Sequence, residues 1–315
     1  MLPLAGTNTY LVGHKNPYTL IDTGEGKAEY ISVLASALRD AAQANPNEPD
    51  VSDIILSHKH GDHVGGLPSV LGLLKKLWEE RNLTLVGNKS SYRPPRIHKF
   101  PLPSDAPDAV LQHILDSLPS DLYTPNAAGN PLHDLSDSQI FPLTNLRVLH
   151  TPGHTPDSIA LYLPSDRALY TADTVLGQGT AVFEDLTDLI SSLRKILEFG
   201  KTEGGKYTRL YPGHGPVVDD GASLIETYIS HRLEREEQIV GTLKTPPPVV
   251  ASGFGGGEAG LWTTWTLVTT IYAKYPESLW LPAAHSVDLH LKKLERDGKV
   301  KRVGGEGKDT QWAFV

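Results

Sequence analysis

One dense run of histidine and aspartate limits the folds open to this chain more than any other feature. The run is Ser57-His58-Lys59-His60-Gly61-Asp62-His63, and it directly follows the apolar segment Asp53–Leu56, a predicted strand. Imidazole and carboxylate groups are the usual ligands of zinc and similar ions. The end of a strand brings alternate side chains and the following turn to one point. A polar surface loop is the alternative interpretation of the run taken alone, but its spacing is dense enough to serve two ions.

Three further candidate ligands also stand where a predicted strand gives way to a loop. They are His154 after Leu146–Leu149, Asp173 after Ala168–Tyr170, and His214 after Arg209–Leu210. Glycine and proline beside His154 and His214 allow the backbone to turn sharply. The sequence contains no cysteine, so a metal site in this chain must use nitrogen and oxygen ligands. The prediction is therefore one centre built from His58, His60, Asp62, His63, His154, Asp173 and His214.

Short β-branched apolar runs alternate with helical patterns such as Ala28–Ala44 and Leu186–Phe199, which predicts an α/β fold. A strand is also predicted over Leu83–Val86. Residues 90–139 are rich in proline, serine and aspartate and contain one helical segment, Ala109–Leu118, so they are interpreted as a long insertion. The hydrolase-like domain is expected to span residues 1–243.

The composition changes after the charged helical segment Ile225–Leu243. Three prolines and a glycine cluster predict a linker over residues 244–260. Residues 261–315 then show two helical patterns, Trp262–Tyr275 and His285–Asp297, followed by two short strand patterns, which is typical of a small winged-helix domain. Within the charged helix, Arg232 and Glu236 have the i, i+4 spacing of an intrahelical ion pair.

Charge and hydropathy narrow the function classes. The 29 Lys and Arg against 37 Asp and Glu give a net charge of −8, which argues weakly against broad electrostatic capture of nucleic acid. No stretch approaches the ~18 apolar residues of a membrane span, and the start of the sequence lacks a signal-peptide pattern. A cytosolic protein without a membrane partner is expected.

Taken together, the ligand motifs resemble those of the metallo-β-lactamase superfamily. Four further segments resemble its lactamase-beta-2-like subgroup, which has a winged-helix-like tail: Gly6–Gly13, Leu176–Leu186, Tyr228–Arg232 and His290–Glu295. The resemblance implies an αββα sandwich with a metal centre along one edge. It also implies that His58, His60 and His154 bind a first ion, that Asp62, His63 and His214 bind a second, and that Asp173 bridges the two.

The resemblance assigns Asp22, in Leu20-Ile21-Asp22-Thr23-Gly24, to a hydrogen bond that supports a ligand histidine. The alternative for Asp22 is a turn or N-cap aspartate ahead of the helix near Ala28. Lys59 departs from the family pattern, because relatives commonly have an aromatic residue there. It would place a positive charge beside the metal centre.

The leading hypothesis for function is a hydrolase in which two divalent ions share a hydroxide, oriented by Asp62 as the catalytic residue. Zn²⁺ is the first choice, with Mn²⁺ or iron as alternatives. A thiolate leaving group, with a pKa of ~8.5, needs little protonation, so thioester hydrolysis is the reaction that least requires an acid at this centre. The subgroup resemblance points to a thioesterase that releases an acyl or polyketide chain from an acyl carrier protein. The alternatives are a single-strand endoribonuclease, in which Lys59 and the tail hold RNA, and a non-enzymatic interaction module with a structural metal edge.

Overall fold

The computed structural model describes residues 6–41, 45, 47–83, 91–104, 108–248 and 261–315. Its first sheet has five strands: β1 (Tyr10–Val12), β2 (Tyr18–Ile21), β3 (Val51–Leu56), β4 (Arg96–Lys99) and β5 (Leu132–Asp134). The spatial order follows the sequence. Strand β1 is antiparallel to β2, and β2 to β5 are parallel. The carboxyl ends of these four strands therefore meet at the same edge.

The second sheet has four strands, in the order β6 (Arg147–His150), β7 (Ile159–Leu163), β8 (Ala168–Ala172) and β9 (Arg209–Pro212). Strands β6 to β8 pair antiparallel, and β9 is parallel to β8. Successive side chains of a strand point to opposite faces, so each sheet presents one face to the other sheet and one face to the helices. In β3, Ile55 faces the other sheet, whereas Ile54 and Leu56 face helices on the outside. The two sheets thus pack face to face over a shared apolar core.

Helices cover the outer faces of both sheets. On the first sheet lie α1 (Ala28–Asp40), α3 (Leu67–Leu83) and α4 (Ala109–Asp116), and the short α2 (Gly61–Val64) stands at its carboxyl edge. On the second sheet lie α5 (Leu186–Lys201) and α6 (Gly221–Leu243). The arrangement is a helix, sheet, sheet, helix sandwich, which confirms the predicted αββα fold.

The C-terminal residues form a small unit with its own core. It contains β10 (Trp262–Thr263), α7 (Thr264–Ile271), α8 (Trp280–Arg296), β11 (Val300–Gly304) and β12 (Gln311–Phe314), with the strands in the order β10-β12-β11. The core also includes Ile239 and Leu243 of α6, so the unit is continuous with the last helix of the sandwich. The predicted winged-helix shape is confirmed, although Trp262 and Thr263 are a strand paired with β12 rather than the start of a helix.

Two other expectations need correction. Residues 90–139 were expected to hold one helix, but within the described part of this segment they also supply β4 and β5 to the first sheet. Arg232 and Glu236 do not form the expected intrahelical pair: Arg232 donates to the carbonyl of Ala181, and Glu236 pairs with Lys293 of α8 at 2.8 Å.

Some of the remaining sequence predictions fall outside the described residues or are not tested by the structure. The strand expected over Leu83–Val86 lies outside the described residues, apart from Leu83, which ends α3. So does most of the expected linker over residues 244–260, and the domain boundaries stay predictions. Among the described residues, no helix is both long and apolar enough to cross a membrane. The cytosolic location also stays a prediction.

Candidate metal centre

Four loops at one edge of the sandwich carry the seven predicted ligands to one place. The loop after β3 and the helix α2 hold four of them, and the loops after β6, β8 and β9 hold one each. Their ligand atoms form three overlapping groups, each within 4.8 Å: His58, His60 and His154; His58, His63 and Asp173; and Asp62, His63 and His214. None of the seven lies apart from the others. They come together because each of these loops follows a strand that ends at this edge.

The first group consists of three imidazoles whose nitrogen atoms point at one another. His58 Nε2 lies 3.1 Å from His60 Nδ1 and 3.2 Å from His154 Nε2, and His60 Nδ1 lies 2.9 Å from His154 Nε2. Ligands that bind Zn²⁺ at about 2.0–2.1 Å in a tetrahedron stand about 3.3 Å apart. The triangle of nitrogens thus has nearly the size that such an ion requires.

Hydrogen bonds behind the rings fix which nitrogen carries the proton. His154 Nδ1 lies 2.8 Å from the carbonyl oxygen of Val182, which can only accept, so this nitrogen is protonated and Nε2 is the lone pair. His58 Nδ1 lies 2.9 Å from Ser57 Oγ, whose own hydrogen is donated to Asp22. His58 Nε2 is therefore unprotonated as well. Lone pairs that face each other at this distance repel, and a cation between them removes the repulsion.

The other four candidate ligands, Asp62, His63, Asp173 and His214, are two histidines and two carboxylates and are called the second group below. His214 Nε2 lies 3.1 Å from Asp62 Oδ2 and 3.2 Å from Asp173 Oδ2. His63 Nε2 stands 3.5 Å from Asp62 Oδ2 and 3.4 Å from Asp173 Oδ1. His214 Nδ1 donates to the carbonyl of Gly6 at 2.8 Å, which again leaves Nε2 for the centre. Asp173 thus stands between His63 and His214. His58 of the first group also lies close to it, because the ligand atoms of His58, His63 and Asp173 are within 4.8 Å of one another.

Two buried atoms of this group have no hydrogen-bond partner among the described residues: His63 Nε2 and Asp173 Oδ1. Buried polar atoms are normally paired, because an unpaired one costs about 1–3 kcal/mol. Gly213 leaves room beside them, since a Cβ there would lie 2.4 Å from Asp173 Oδ1 and 2.8 Å from His63 Cε1. The donor set, the two unpaired atoms and the space kept by Gly213 all fit a divalent cation.

Asp22 is the hub behind these ligands. Its side chain is fully buried, and its Oδ2 accepts hydrogen bonds from His63 Nδ1 at 2.7 Å, from Ser57 Oγ at 2.7 Å and from the hydroxyl of Tyr170. Its Oδ1 accepts from the backbone N–H of Ser57 at 2.7 Å. Asp22 has a φ of +59°, a backbone conformation that aspartate tolerates better than most residues. The carboxylate thereby orients His63 directly and His58 through Ser57.

The charge state differs between the two groups. Burial, and then neighbouring histidines, lower the pKa of His58, His60 and His154 below the usual value, so these rings are neutral. Burial also acts on His63 and His214, but the carboxylates of Asp22, Asp62 and Asp173 outweigh it and raise the pKa of both rings to about 10. The pKa of Asp62 is lowered to about 2 despite its burial. Without a cation, His63 and His214 are therefore protonated, and their positive charges balance the carboxylates.

Several supporting residues carry no recognisable signal in the sequence. Tyr170 is an apolar strand residue by its pattern, and the carbonyl oxygens of Val182 and Gly6 belong to no side chain. Their only sequence signal is that they lie in, or next to, segments that resemble relatives. Lys59, expected to place a positive charge beside the centre, pairs through Nζ with Glu184 Oε1 at 2.8 Å.

Comparison with known proteins agrees with this geometry. Residues 2–214 match the family described as metallo-beta-lactamase superfamily, and residues 263–312 match the beta-lactamase associated winged helix domain. A protein of Drosophila melanogaster named beta-lactamase-like protein 2 homolog is 35% identical over 303 residues, which are 95% of this chain and 86% of that protein.

A second relative, from Aspergillus fumigatus, is named atrochrysone carboxyl ACP thioesterase. It is 30% identical over 301 residues, 94% of this chain and 58% of that protein. Among solved structures, a metallo-beta-lactamase family protein from Thermus thermophilus has the same fold, with a TM-score of 0.61 at 20% identity over 98% of this chain and 94% of that one. The chain belongs to the metallo-beta-lactamase superfamily and has the winged helix domain associated with it.

Proposed function

We propose that this protein is a hydrolase that works with two divalent ions and cleaves thioesters, releasing an acyl chain from a carrier protein. The observation that carries the hydrolase proposal is the convergence of seven nitrogen and oxygen ligands on a centre where His63 Nε2 and Asp173 Oδ1 have no partner among the described residues. Bound there, two divalent ions, Zn²⁺ first and Mn²⁺ as the alternative, would supply an activated water and a Lewis acid.

The residues of the chain would bind the ions and orient the water. His58, His60 and His154 would hold one ion, Asp62, His63 and His214 the other, and Asp173 would bridge them. Asp62 is the most exposed carboxylate of the centre, with 38% of its side chain accessible, and its lowered pKa keeps it ionised. Its Oδ2 contacts His214 and accepts a hydrogen bond from Thr7 at 3.2 Å. Asp62 Oδ1 is therefore the oxygen that would orient the water.

The preference for a thioester rests on a relative and on leaving-group chemistry. A protein 30% identical to this chain is named as an ACP thioesterase. A departing thiolate, with a reference pKa near ~8.5, needs no strong acid beside it. The described ligands include no carboxylic acid that could protonate a leaving group near neutral pH, since Asp62 is held ionised.

A cavity of about 300 Å³, whose lining includes none of the seven candidate ligands, would take the acyl chain. It lies between the end of β4 and helix α4, with Phe100, Leu102, Leu111, Leu115 and Leu132 among its walls. Two contacts tie it to the centre. Helix α4 packs beside α2, which carries Asp62 and His63, and Lys99 in the cavity wall pairs with Asp157, three residues after His154.

The winged-helix domain and Lys59 are the observations that favour the second candidate, an endoribonuclease. Two contacts weigh against it. The charge of Lys59 is matched by Glu184. Helix α8 packs against α5, α6 and α7 of the same chain, and seven of its 17 residues are buried, so those residues are not available to contact RNA.

The test is turnover of acyl-carrier and acyl-coenzyme A thioesters, and separately of fluorescent single-stranded RNA, with the metal content of the purified protein measured in parallel. We expect about two ions per chain, thioester hydrolysis that stops on removal of the metal, and loss of activity in His63→Ala. His113→Ala, an exposed histidine on α4, is the matched control and should keep activity. Cleavage of RNA alone would establish the second candidate. Bound ions with no turnover of either substrate would favour the non-enzymatic interaction module.

A further inference from the structure

Three of the segments that resemble relatives supply no ligand to the metal centre, yet they meet at one side chain. That side chain is Phe183, in the loop between β8 and α5, and it is 6% exposed. The guanidinium of Arg232 on α6 lies 4.6 Å from the centre of its ring, and the ring of His290 on α8 stands edge-on to it with 6.3 Å between ring centres. Phe183, Arg232 and His290 are called the brace below.

Helix α6 also holds the loop by its backbone. Arg232 donates to the carbonyl of Ala181 at 2.8 Å. The hydroxyl of Tyr228, one turn earlier, donates to the carbonyl of Gly179 at 2.9 Å and accepts from the N–H of Leu176 at 3.2 Å. These contacts hold the loop to α6 at three backbone groups, those of Leu176, Gly179 and Ala181.

Helix α8 adds a contact at the end of the same loop. Arg296 pairs with Asp185, and Asp185 also caps α5 by accepting from the N–H of Asp188 at 3.1 Å. The C-terminal unit thus reaches Asp185, the last residue of the loop, as well as Phe183 two residues before it.

His290 acts in the brace as a neutral packing group. It is fully buried, and neither ring nitrogen has a hydrogen-bond partner among the described residues. Burial and then the positive charges of Arg232, Arg235 and Lys293 lower its pKa to about 3. The ring therefore contributes area and shape to the contact with Phe183 rather than charge.

The opposite side of the loop holds a candidate metal ligand. The residue between Ala181 and Phe183 is Val182, whose carbonyl accepts from His154 Nδ1 at 2.8 Å. The N–H of Glu184 donates to the carbonyl of Gly153 at 2.8 Å, next to the same histidine. Residues 181–185 therefore contact α6 and the C-terminal unit, and the same stretch of chain also accepts the hydrogen bond of His154.

We infer that α6 and the C-terminal unit packed on it act together as a positioning element for the candidate metal centre, with the brace holding the carbonyl of Val182 where it fixes the tautomer and rotation of His154. The inference rests on the proposed metal centre. A hydrogen bond to the second nitrogen of a ligand histidine sets the direction of its lone pair, and its loss typically weakens metal binding by about 10–100-fold. Arg232 and Phe183 act on that bond through the backbone and are positioning residues.

The experiment measures Zn²⁺ affinity by competition with a chromogenic chelator in the full-length protein. We expect Arg232→Ala and the milder Phe183→Leu to weaken one of the two bound ions by about tenfold and to leave the other within about twofold. Arg232→Lys, which keeps a donor for the carbonyl of Ala181, should recover part of the loss. Arg235→Ala is the matched control. This residue lies one turn along α6 and packs over Tyr272 of the C-terminal unit, but the structure shows no contact between it and the described residues of the loop.

The outcomes separate this inference from the proposed function. If the wild-type protein binds no Zn²⁺, the proposed function fails and the inference falls with it. If the wild type binds two ions and the brace variants match its affinities, the function stands and only the positioning role is refuted. Equal weakening of both ions, with Arg235→Ala behaving in the same way, would also refute it, because it would indicate a general loss of structure.

Discussion

Replacement of Asp22 by asparagine tests the support behind the metal centre with the smallest change of shape. Asp22 accepts four hydrogen bonds while fully buried: from the backbone N–H and Oγ of Ser57, from His63 Nδ1 and from Tyr170. An amide has one accepting oxygen and one donating nitrogen. In either orientation of the new amide, at least one donor of the protein faces its NH₂ group. Asparagine tolerates the positive φ at this position, so the backbone need not change.

The magnitude follows from these contacts. One buried unpaired donor costs about 1–3 kcal/mol, and bonds to a charged acceptor are worth about 1 kcal/mol more than bonds to a neutral one. We expect the free energy of unfolding to fall by about 3–5 kcal/mol. At about 2–4 °C per kcal/mol for a domain of this size, Tm falls by about 10 °C. Because Asp22 orients His63, the affinity for one ion should also fall by about 10–100-fold.

The assay compares Asp22→Asn with Asp53→Asn in thermal unfolding of the metal-free protein and in Zn²⁺ titration. Asp53 is a matched control, since it is 2% exposed and accepts from His98 and Arg96 at 2.7 Å, and from Ser52 at 2.7 Å. It lies five residues before His58, about 16 Å along an extended strand. Both variants should lose stability, but only Asp22→Asn should lose metal affinity. Unchanged Zn²⁺ affinity in Asp22→Asn, or equal losses in both variants, would refute the role assigned to Asp22.

Three further predictions concern other parts of the molecule. Lys99→Met leaves the buried Asp157 without its partner and should lower the free energy of unfolding in urea by about 3–5 kcal/mol. The double variant Lys99→Met/Asp157→Ala should be more stable than the single variant, and the reverse order would contradict this account of the pair. Gln112 lies on the exposed rim of the cavity beside α4. Gln112→Trp should lower kcat/KM about tenfold for long acyl thioesters and leave kcat/KM for acetyl thioesters unchanged. Equal effects on both substrates would show that the acyl chain does not bind in this cavity. The pKa values of His63 and His214 are raised to about 10, so both rings are protonated at a pH of about 7.5. Metal binding must displace these protons, so the metal affinity should rise with pH and calorimetry in two buffers of different ionisation enthalpy should show proton release. A binding enthalpy that does not depend on the buffer would contradict this prediction.

The sequence predicts which side chains the structure brings together because most of them stand in a short local pattern. His58 to His63 follow an apolar strand, and glycine or proline marks the turns at His154 and His214. Strands β4 and β5 were missed for the opposite reason. In β4, Lys99 and His98 are polar, and they become buried only because Asp157 and Asp53 pair with them across distances of 58 and 45 residues along the chain. A strand stabilised by such pairs has no apolar alternation to detect.

The same limit explains the error over Arg232 and Glu236. Their spacing is that of an intrahelical pair, but each finds a better partner outside α6: the carbonyl of Ala181 for Arg232 and Lys293 for Glu236. Glu236 is 5% exposed, and pairing with Lys293 gives it a charged partner in the interface with α8. Local spacing ranks only the contacts within one helix, whereas the fold decides which competing contacts exist.

The distribution of the ligands along the chain has a consequence for how the protein matures in the cell. Each of the two end groups of the centre takes residues from both sheets: His154 joins His58 and His60, and His214 joins Asp62 and His63. A ribosome must therefore have released the polypeptide beyond His154 before the first group is complete, and beyond His214 before the second is. If the proposed two-ion centre is right, loading with both ions would follow translation of nearly the whole sandwich, and an early stop between these two histidines would leave the proposed ligands of one ion only.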